Sequence, residues 1–330
     1  MRSARARGGL RVARAALSIL AIGAGCEILV DGKIRDVHCE DEGAIGPPAC
    51  PVGSMCTRGT CVTATLGTVC TTDGDCERGD FCLDASAFGG SGAPRCTRAC
   101  CSSADCDPDP GFVCWIAPGS AGNVCRAARD VGRAEGGSAK PGAACDRDVD
   151  CRSGRCNEGR CADTCCSDTG CASHDHACRF GAGPAPEPTG FWCVPPEVKK
   201  GRYETCAAHD ECASGLCIPL DPDPVPRCSV PCCDSSECEI APGKGTPVAC
   251  APVRVDGVWL RACSVLVAGT AAGAVGSACS NDGDCRSGHC DGAQRCSDAC
   301  CSDASCGDPS SFVCRLMREP SSWALRCTAK

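Results

Sequence analysis

The chain has 330 residues, 41 of them cysteine, with aromatics at 3% and a formal net charge of −8. That cysteine density is the composition of a disulfide scaffold, and so few aromatics exclude a single large apolar core. An acidic balance repels phosphate backbones, which argues against a nucleic-acid partner and favours divalent cations or basic proteins instead.

Residues 1–25 carry Arg2, Arg5, Arg7, Arg11 and Arg14, no acidic residue, and an apolar run from Ala15 to Gly25. A basic stretch followed by a short apolar one reads as an export signal, and the run is too short for a permanent membrane span. It ends Gly23-Ala24-Gly25-Cys26. Here the sequence resembles a bacterial lipoprotein signal, in which small residues precede a cysteine that becomes the lipidated N-terminus. The resemblance implies lipidation at Cys26 and a place in the cell envelope, lipid-anchored at the outer membrane or cell surface. Parity agrees, since setting Cys26 aside leaves 40 cysteines, an even number. Cleavage would take the formal charge from −8 to −13.

Residues 26–66 form an acidic lead with Cys39, Cys50, Cys56 and Cys61. The last three repeat the spacing of Cys145, Cys151 and Cys156, so this segment reads as a partial cysteine-rich module. Four full copies follow, at 67–128, 142–195, 203–264 and 276–330. Each has nine cysteines in one order. In the second copy they are Cys145, Cys151, Cys156, Cys161, the adjacent Cys165 and Cys166, then Cys171, Cys178 and Cys193. The adjacent pair recurs at Cys100 and Cys101, Cys232 and Cys233, and Cys300 and Cys301. Units this small cannot bury enough apolar surface unaided. Structural disulfides, each contributing about 2–4 kcal/mol, fill that gap in an oxidising compartment. No Cys-x-x-Cys occurs, which disfavours zinc ribbons and thioredoxin-type redox sites.

The expected fold is therefore small and disulfide-rich: a tandem array of four cysteine-knotted modules with short β-hairpins and little helix. Nine is odd, so at least one cysteine of each copy must look outside it. Bridges between neighbouring copies, or to the lead, are expected. The adjacent pair is expected to bond to two different partners, because a bridge between chain neighbours departs from relaxed geometry. The pairing itself stays open.

Within a copy, the first loop reads Asp73-Gly74-Asp75, Asp148-Val149-Asp150 or Asp282-Gly283-Asp284, with Asp210 and Glu211 in the third copy. These are turn sequences, stabilised by side-chain hydrogen bonds to nearby amides. The second reading is a weak calcium site at Asp73, Asp75, Asp148, Asp150, Asp282 and Asp284, although two carboxylates per loop fall well short of a full oxygen shell. Ser153-Gly154, Ser214-Gly215 and Ser287-Gly288 precede the third cysteine and predict tight turns with positive φ at glycine. The loop between the eighth and ninth cysteines predicts a hairpin, clearest around Asp256-Gly257. It also holds one tryptophan per copy: Trp115, Trp192, Trp259 and Trp323. Each is expected to cover disulfides as a miniature core, with an exposed aromatic row as the alternative. His174 and His176 flank Asp175 as a weak metal signal. Linkers rich in Gly, Ala and Pro separate the copies, and 264–278 is expected to pack on its neighbours. No catalytic motif is present, so no catalytic residue and no cofactor beyond calcium is expected.

The run from Cys145 to Cys156, with Asp148, Asp150 and Gly154, resembles the start of Dickkopf N-terminal-type modules, in which Cys-x-x-Asp-x-Asp-Cys-x-x-Gly precedes an adjacent cysteine pair. Cys279 to Cys290 matches as well, and the third copy departs at His209. The likeness covers the first half of each copy. It implies a secreted, disulfide-knotted interaction module and carries over no partner. The expected function is a non-enzymatic structural or protein-interaction role, with an extracytoplasmic protein or envelope component as partner and the membrane reached through the lipid. The alternative is protease inhibition or soluble-ligand binding by individual modules, for which the loop 179–192 is the nearest candidate.

Overall fold

Hairpins place two cysteines face to face throughout the chain. In the computed structural model they are β3 (Phe81–Leu83) with β4 (Arg95–Thr97), β8 (Cys156–Asn157) with β9 (Arg160–Cys161), and β12 (Cys217–Leu220) with β13 (Asp223–Cys228) in the first halves of the copies. The second halves hold β6 (Phe112–Ile116) with β7 (Asn123–Ala127), β10 (Ala177–Gly181) with β11 (Gly190–Val194), β14 (Val248–Val255) with β15 (Val258–Leu266), and β16 (Phe312–Arg318) with β17 (Trp323–Ala329). A two-residue strand β5 (Ala99–Cys100) adds to the β6–β7 sheet. In the lead, β1 (Ser54–Thr57) pairs with β2 (Thr60–Thr63) and sets Cys56 opposite Cys61.

The structure describes residues 54–57, 60–63, 65–77, 79–84, 92–106, 111–117, 120–171, 176–184, 187–238, 247–267, 273–308, 310–318 and 323–330. The export signal, Cys26, Cys39, Cys50, His174 and Asp175 lie outside them. Among the described residues there is no α-helix, and no helix long and apolar enough to cross a membrane.

The register explains the cysteine order. Third and fourth cysteines stand opposite each other, as at Cys82 and Cys96 or Cys156 and Cys161. So do eighth and ninth, as at Cys178 and Cys193 or Cys314 and Cys327. Opposed cysteines do not bond to each other. The third reaches back to the first and the fourth to the second. The eighth reaches to the fifth and the ninth to the seventh. One copy is thus two half-units with the same crossed pairing. The sixth cysteine is left over, and it is the one that leaves the module: Cys101 bonds Cys166, and Cys233 bonds Cys301. All 36 cysteines of the four copies are bonded, and each adjacent pair has two different partners, as expected.

Short 3-10 turns join the cysteines that precede each hairpin, for example at Asp73–Asp75, Asp168–Gly170 and Asp282–Asp284. Gly67, Gly142 and Gly276 have φ of 80°, 81° and 82° and donate their amides to the carbonyl of the fourth cysteine. In the third copy Tyr203 takes this place, with φ 65°, and makes the same bond to Cys228. At Asp256 and Gly257 two consecutive left-handed residues form the hairpin turn that the sequence predicts. Glu158 and Gly159 do the same in β8–β9, where no hairpin was expected.

Linkers are laid into the next module. Ala139, Lys200 and Gly273 each pair in parallel with the second cysteine of the copy that follows. Apolar packing lies largely between modules. One cluster joins Phe180 and Phe191 of the second copy to Leu216, Ile218, Val255 and Leu260 of the third. Another joins Phe81, Leu83 and Val124 of the first copy to Cys300, Cys314 and Leu325 of the fourth. The Ala121 amide donates to the Trp323 carbonyl at 2.7 Å, and Arg315 pairs with Asp73 at 3.1 Å. The array therefore closes, first copy on fourth, into a ring. Of the four tryptophans Trp192 is fully buried at 2% exposure, while Trp115, Trp259 and Trp323 are half-buried. Trp115 carries Arg126 over its ring. Burial and disulfide cover do not coincide: Trp192 is buried with Arg133 over its ring, while half-buried Trp115 packs against the cluster that holds Cys300, Cys306, Cys314 and Cys327 of the fourth copy.

Candidate functional site

The acidic loops are built around amides. Asp73, Asp148 and Asp282 each accept from the third-cysteine amide, at Cys82, Cys156 and Cys290, over 2.7–2.8 Å. In the third copy His209 Nδ1 accepts from the Cys217 amide at 2.9 Å, so the departure from the acidic pattern keeps the bond. The second carboxylate of each loop faces the other way. Asp75 accepts from the Thr71 and Thr72 amides, Asp150 from those of Asp146 and Arg147, and Asp284 from those of Ser280 and Asn281. Donation from Arg147 and Asp146 holds Asp150 below the ordinary carboxylate range, and Ser280 and Asn281 do the same for Asp284. At Asp75 burial pushes upward, but the hydrogen bonds from Thr71 and Thr72 outweigh it and lower the carboxyl. The two acids of a loop thus serve two separate turns of backbone.

The second half-units use the same device. Asp168 and Asp303 accept from the amides of Cys178 and Cys314. In the first and third copies a serine replaces the acid: Ser103 and Ser235 accept from Cys114 and Cys250. The freed carboxylate role is taken by a neighbour. Asp163 accepts from both the amide and the hydroxyl of Ser103 at 2.9 Å. Asp298 accepts from the Ser235 amide at 3.1 Å and its hydroxyl at 2.7 Å. These are the joints between first and second and between third and fourth copies, beside the two inter-module disulfides. Burial pushes Asp163 up to about 6 against the donation from Ser103 and the charge of Arg133, and pushes Asp298 up as well.

A second anchor closes the first joint. Glu187, with its side chain 5% exposed, pairs with Arg133 at 2.8 Å and Arg155 at 2.9 Å. Burial raises the Glu187 carboxyl, but hydrogen bonds and charge from Arg133 and Arg155 win and hold it below its usual range. Glu187 belongs to the loop singled out as an inhibitory candidate, so that loop is tied to the linker at this point. Gly154 and Gly215, with φ of 66° and 68°, sit so close to the preceding unit that a Cβ would lie 2.1 Å from the Ala134 carbonyl oxygen and 2.4 Å from that of Phe180.

Comparison with protein-family models finds no matching model, and searches of curated proteins and of solved structures find no match. Composition and fold stand on their own: a cysteine-rich chain of repeated, disulfide-closed β-hairpin modules. Its disulfide density places it in an oxidising, extracytoplasmic compartment.

On the outer surface, the third module carries a groove of about 570 Å³. Pro219, Pro222, Pro252, Val253, Val255 and Trp259 line it. Sequence patterning missed it, because Pro219 and Pro222 come from the β12–β13 hairpin and Pro252 and the remaining residues from β14–β15. The cis peptide at Asp221-Pro222 lies at its edge. Apolar walls on a stiff double hairpin suit contact with another protein's side chains.

Proposed function

We propose that the chain is an exported, non-enzymatic interaction scaffold, anchored to the envelope through a lipid on Cys26, whose closed ring presents fixed surfaces to an extracytoplasmic protein. The supporting observation is the joining of four modules by sulfur and packing into one ring, which spares a binding surface the entropy of ordering itself. The resemblance of the first half of its copies to Dickkopf-type modules fits a role in protein contact. The third-module groove is the surface of choice, since it gathers apolar side chains on rigid strands.

Photo-crosslinking tests this. A photoreactive residue at Val253 should give a discrete adduct with an extracytoplasmic protein in intact cells, and one at the exposed Val149 should not. No adduct at Val253, or the same products from both positions, would overturn the reading. Intact mass of the membrane-bound form reports the lipid on Cys26.

A further inference from the structure

His209 stands between the two walls of the third-module groove. Its turn, His209–Glu211, precedes β12, and β12 supplies Ile218 and Pro219 to one wall. Nδ1 accepts from the amide of Cys217, the first residue of that strand, at 2.9 Å. Nε2 faces the opposite wall. It lies 3.9 Å from Oδ2 of Asp256, the left-handed residue at the tip of the β14–β15 hairpin that carries Val253, Val255 and Trp259. The ring also meets Phe180 of the second module edge-on, with centroids 5.7 Å apart. Its side chain is 37% exposed, so protons reach it from solvent.

The other three copies place an aspartate here, and Asp73, Asp148 and Asp282 hold the same third-cysteine amide. An amide only donates, so Nδ1 of His209 gives its lone pair and the one proton of the neutral ring sits on Nε2. In acid the two residue types part. A carboxyl keeps an acceptor oxygen whether or not it holds a proton, whereas imidazolium carries hydrogen on both nitrogens and accepts nothing. Nδ1–H would then oppose the Cys217 N–H, donor against donor. The charges around the ring favour turning it away. Asp256 faces it from β14–β15, and Asp210 and Glu211 lie on its own turn. Arg179 of β10 and Glu197 share its cleft and pair with each other, while Lys200 pairs with Glu211.

We propose that His209 is a proton-operated coupling between the groove walls: neutral, it fastens the start of β12; protonated, it releases Cys217 and swings to Asp256 at the hairpin tip, so that the groove holds its partner protein at neutral pH and lets go in acid. One proton passes from solvent to Nδ1, and no covalent bond of the backbone or of sulfur changes. Histidine is the side chain whose charge ordinarily changes between about pH 5 and pH 8. Release of a partner rests on the interaction reading of the groove; the exchange of partners at His209 stands without it.

The test uses the full oxidised chain. Amide exchange is read at Cys217, with Cys156 and Cys290 of the same molecule as references. A fluorotryptophan resonance of Trp259, assigned with W259F, reports the groove. From about pH 7.5 to about pH 5.5, protection at Cys217 should fall about tenfold while Cys156 and Cys290 keep theirs, and the Trp259 resonance should move with the same midpoint. H209D restores the residue type of the other copies, and both responses should vanish in it. That variant leaves the Asp163 joint as it is, so a response arising there would survive. Photo-crosslinking yield at Val253 in intact cells should fall severalfold in acid and stay level in H209D. Unchanged protection at Cys217, an equal fall at Cys156 and Cys290, a Trp259 resonance that ignores pH, or responses that persist in H209D would each overturn the coupling. Equal Val253 yields at both pH values would overturn partner release. No adduct at either pH would overturn the interaction reading and release with it, whereas the amide and fluorine responses decide the coupling alone.

Discussion

Asp163 of the second module takes both the amide and the hydroxyl of Ser103 in the first, each at 2.9 Å, within a joint closed to solvent. Ser103 also accepts from the Cys114 amide, so one hydroxyl connects a hairpin to the neighbouring module. Removing it in S103A should cost about 1–3 kcal/mol, the usual consequence of stranding buried donors and acceptors. D163A should cost more, because it leaves the Ser103 and Thr164 amides without their acceptor. Denaturant melts of the oxidised protein check both.

The same joint sets a pH dependence. Asp163 titrates at about 6 in the folded chain against an ordinary value of 3.8. Between those values the folded state holds a proton that the unfolded state has released, so stability falls as pH rises through the window. The full effect is on the order of 3 kcal/mol, and Asp298 acts in the same direction. Asp75, Asp150, Asp284 and Glu187 are lowered. Their contribution is present above the ordinary carboxylate value and is lost as pH falls below it. Melting temperature should therefore be higher at pH 5 than at pH 7.5 and drop again in strong acid, and D163N should flatten the upper limb.

Glycine substitutions should separate strain from collision. Gly257 has φ of 83° with nothing near a Cβ, so G257A should cost about 1–2 kcal/mol from backbone strain alone. G154A and G215A add a collision with a carbonyl of the preceding unit and should be clearly worse. Equal costs for the three would mean that the seams yield without penalty.

Glu187 is placed against two guanidiniums, with Arg133 only 1% exposed. E187A leaves Arg133 without its carboxylate and Arg155 with Asp148 alone, and should cost about 3–5 kcal/mol. Limited proteolysis of the variant should show the 182–189 connection opening before the hairpin strands.

Calcium removal should leave the melting midpoint unchanged. The oxygens of Asp73, Asp148 and Asp282 that face the loop already accept from cysteine amides, and their partners Asp75, Asp150 and Asp284 are taken by other amides. A midpoint that falls on adding chelator would show a bound ion instead.

The repeat made the module count, the disulfide-rich class and the existence of inter-module bridges legible, since an odd number of cysteines cannot close on itself. It did not reveal that a copy is two equivalent half-units. The tell-tale was there: Asp168 follows the pair in the second copy as Asp148 precedes Cys151 in the first half, but the serines at Ser103 and Ser235 broke the pattern. Nor did it reveal ring closure. The contact between Ser120 and Trp323 spans most of the chain, and cysteine spacing encodes local crossings alone. The groove escaped for the same reason, as its walls come from two hairpins whose approach is a tertiary fact. His209 looked like a departure and proved to be a chemical equivalent, one acceptor replacing another.

Sulfur joins the first module to the second and the third to the fourth, and among the described residues no bridge crosses from second to third. A protease that opened the stretch 194–205 would therefore yield two covalently intact halves gripping each other through Phe180, Leu216 and their neighbours. Such halves could trade places with those of another molecule, whereas a nick in 126–144 or 264–278 would leave the fragments tethered.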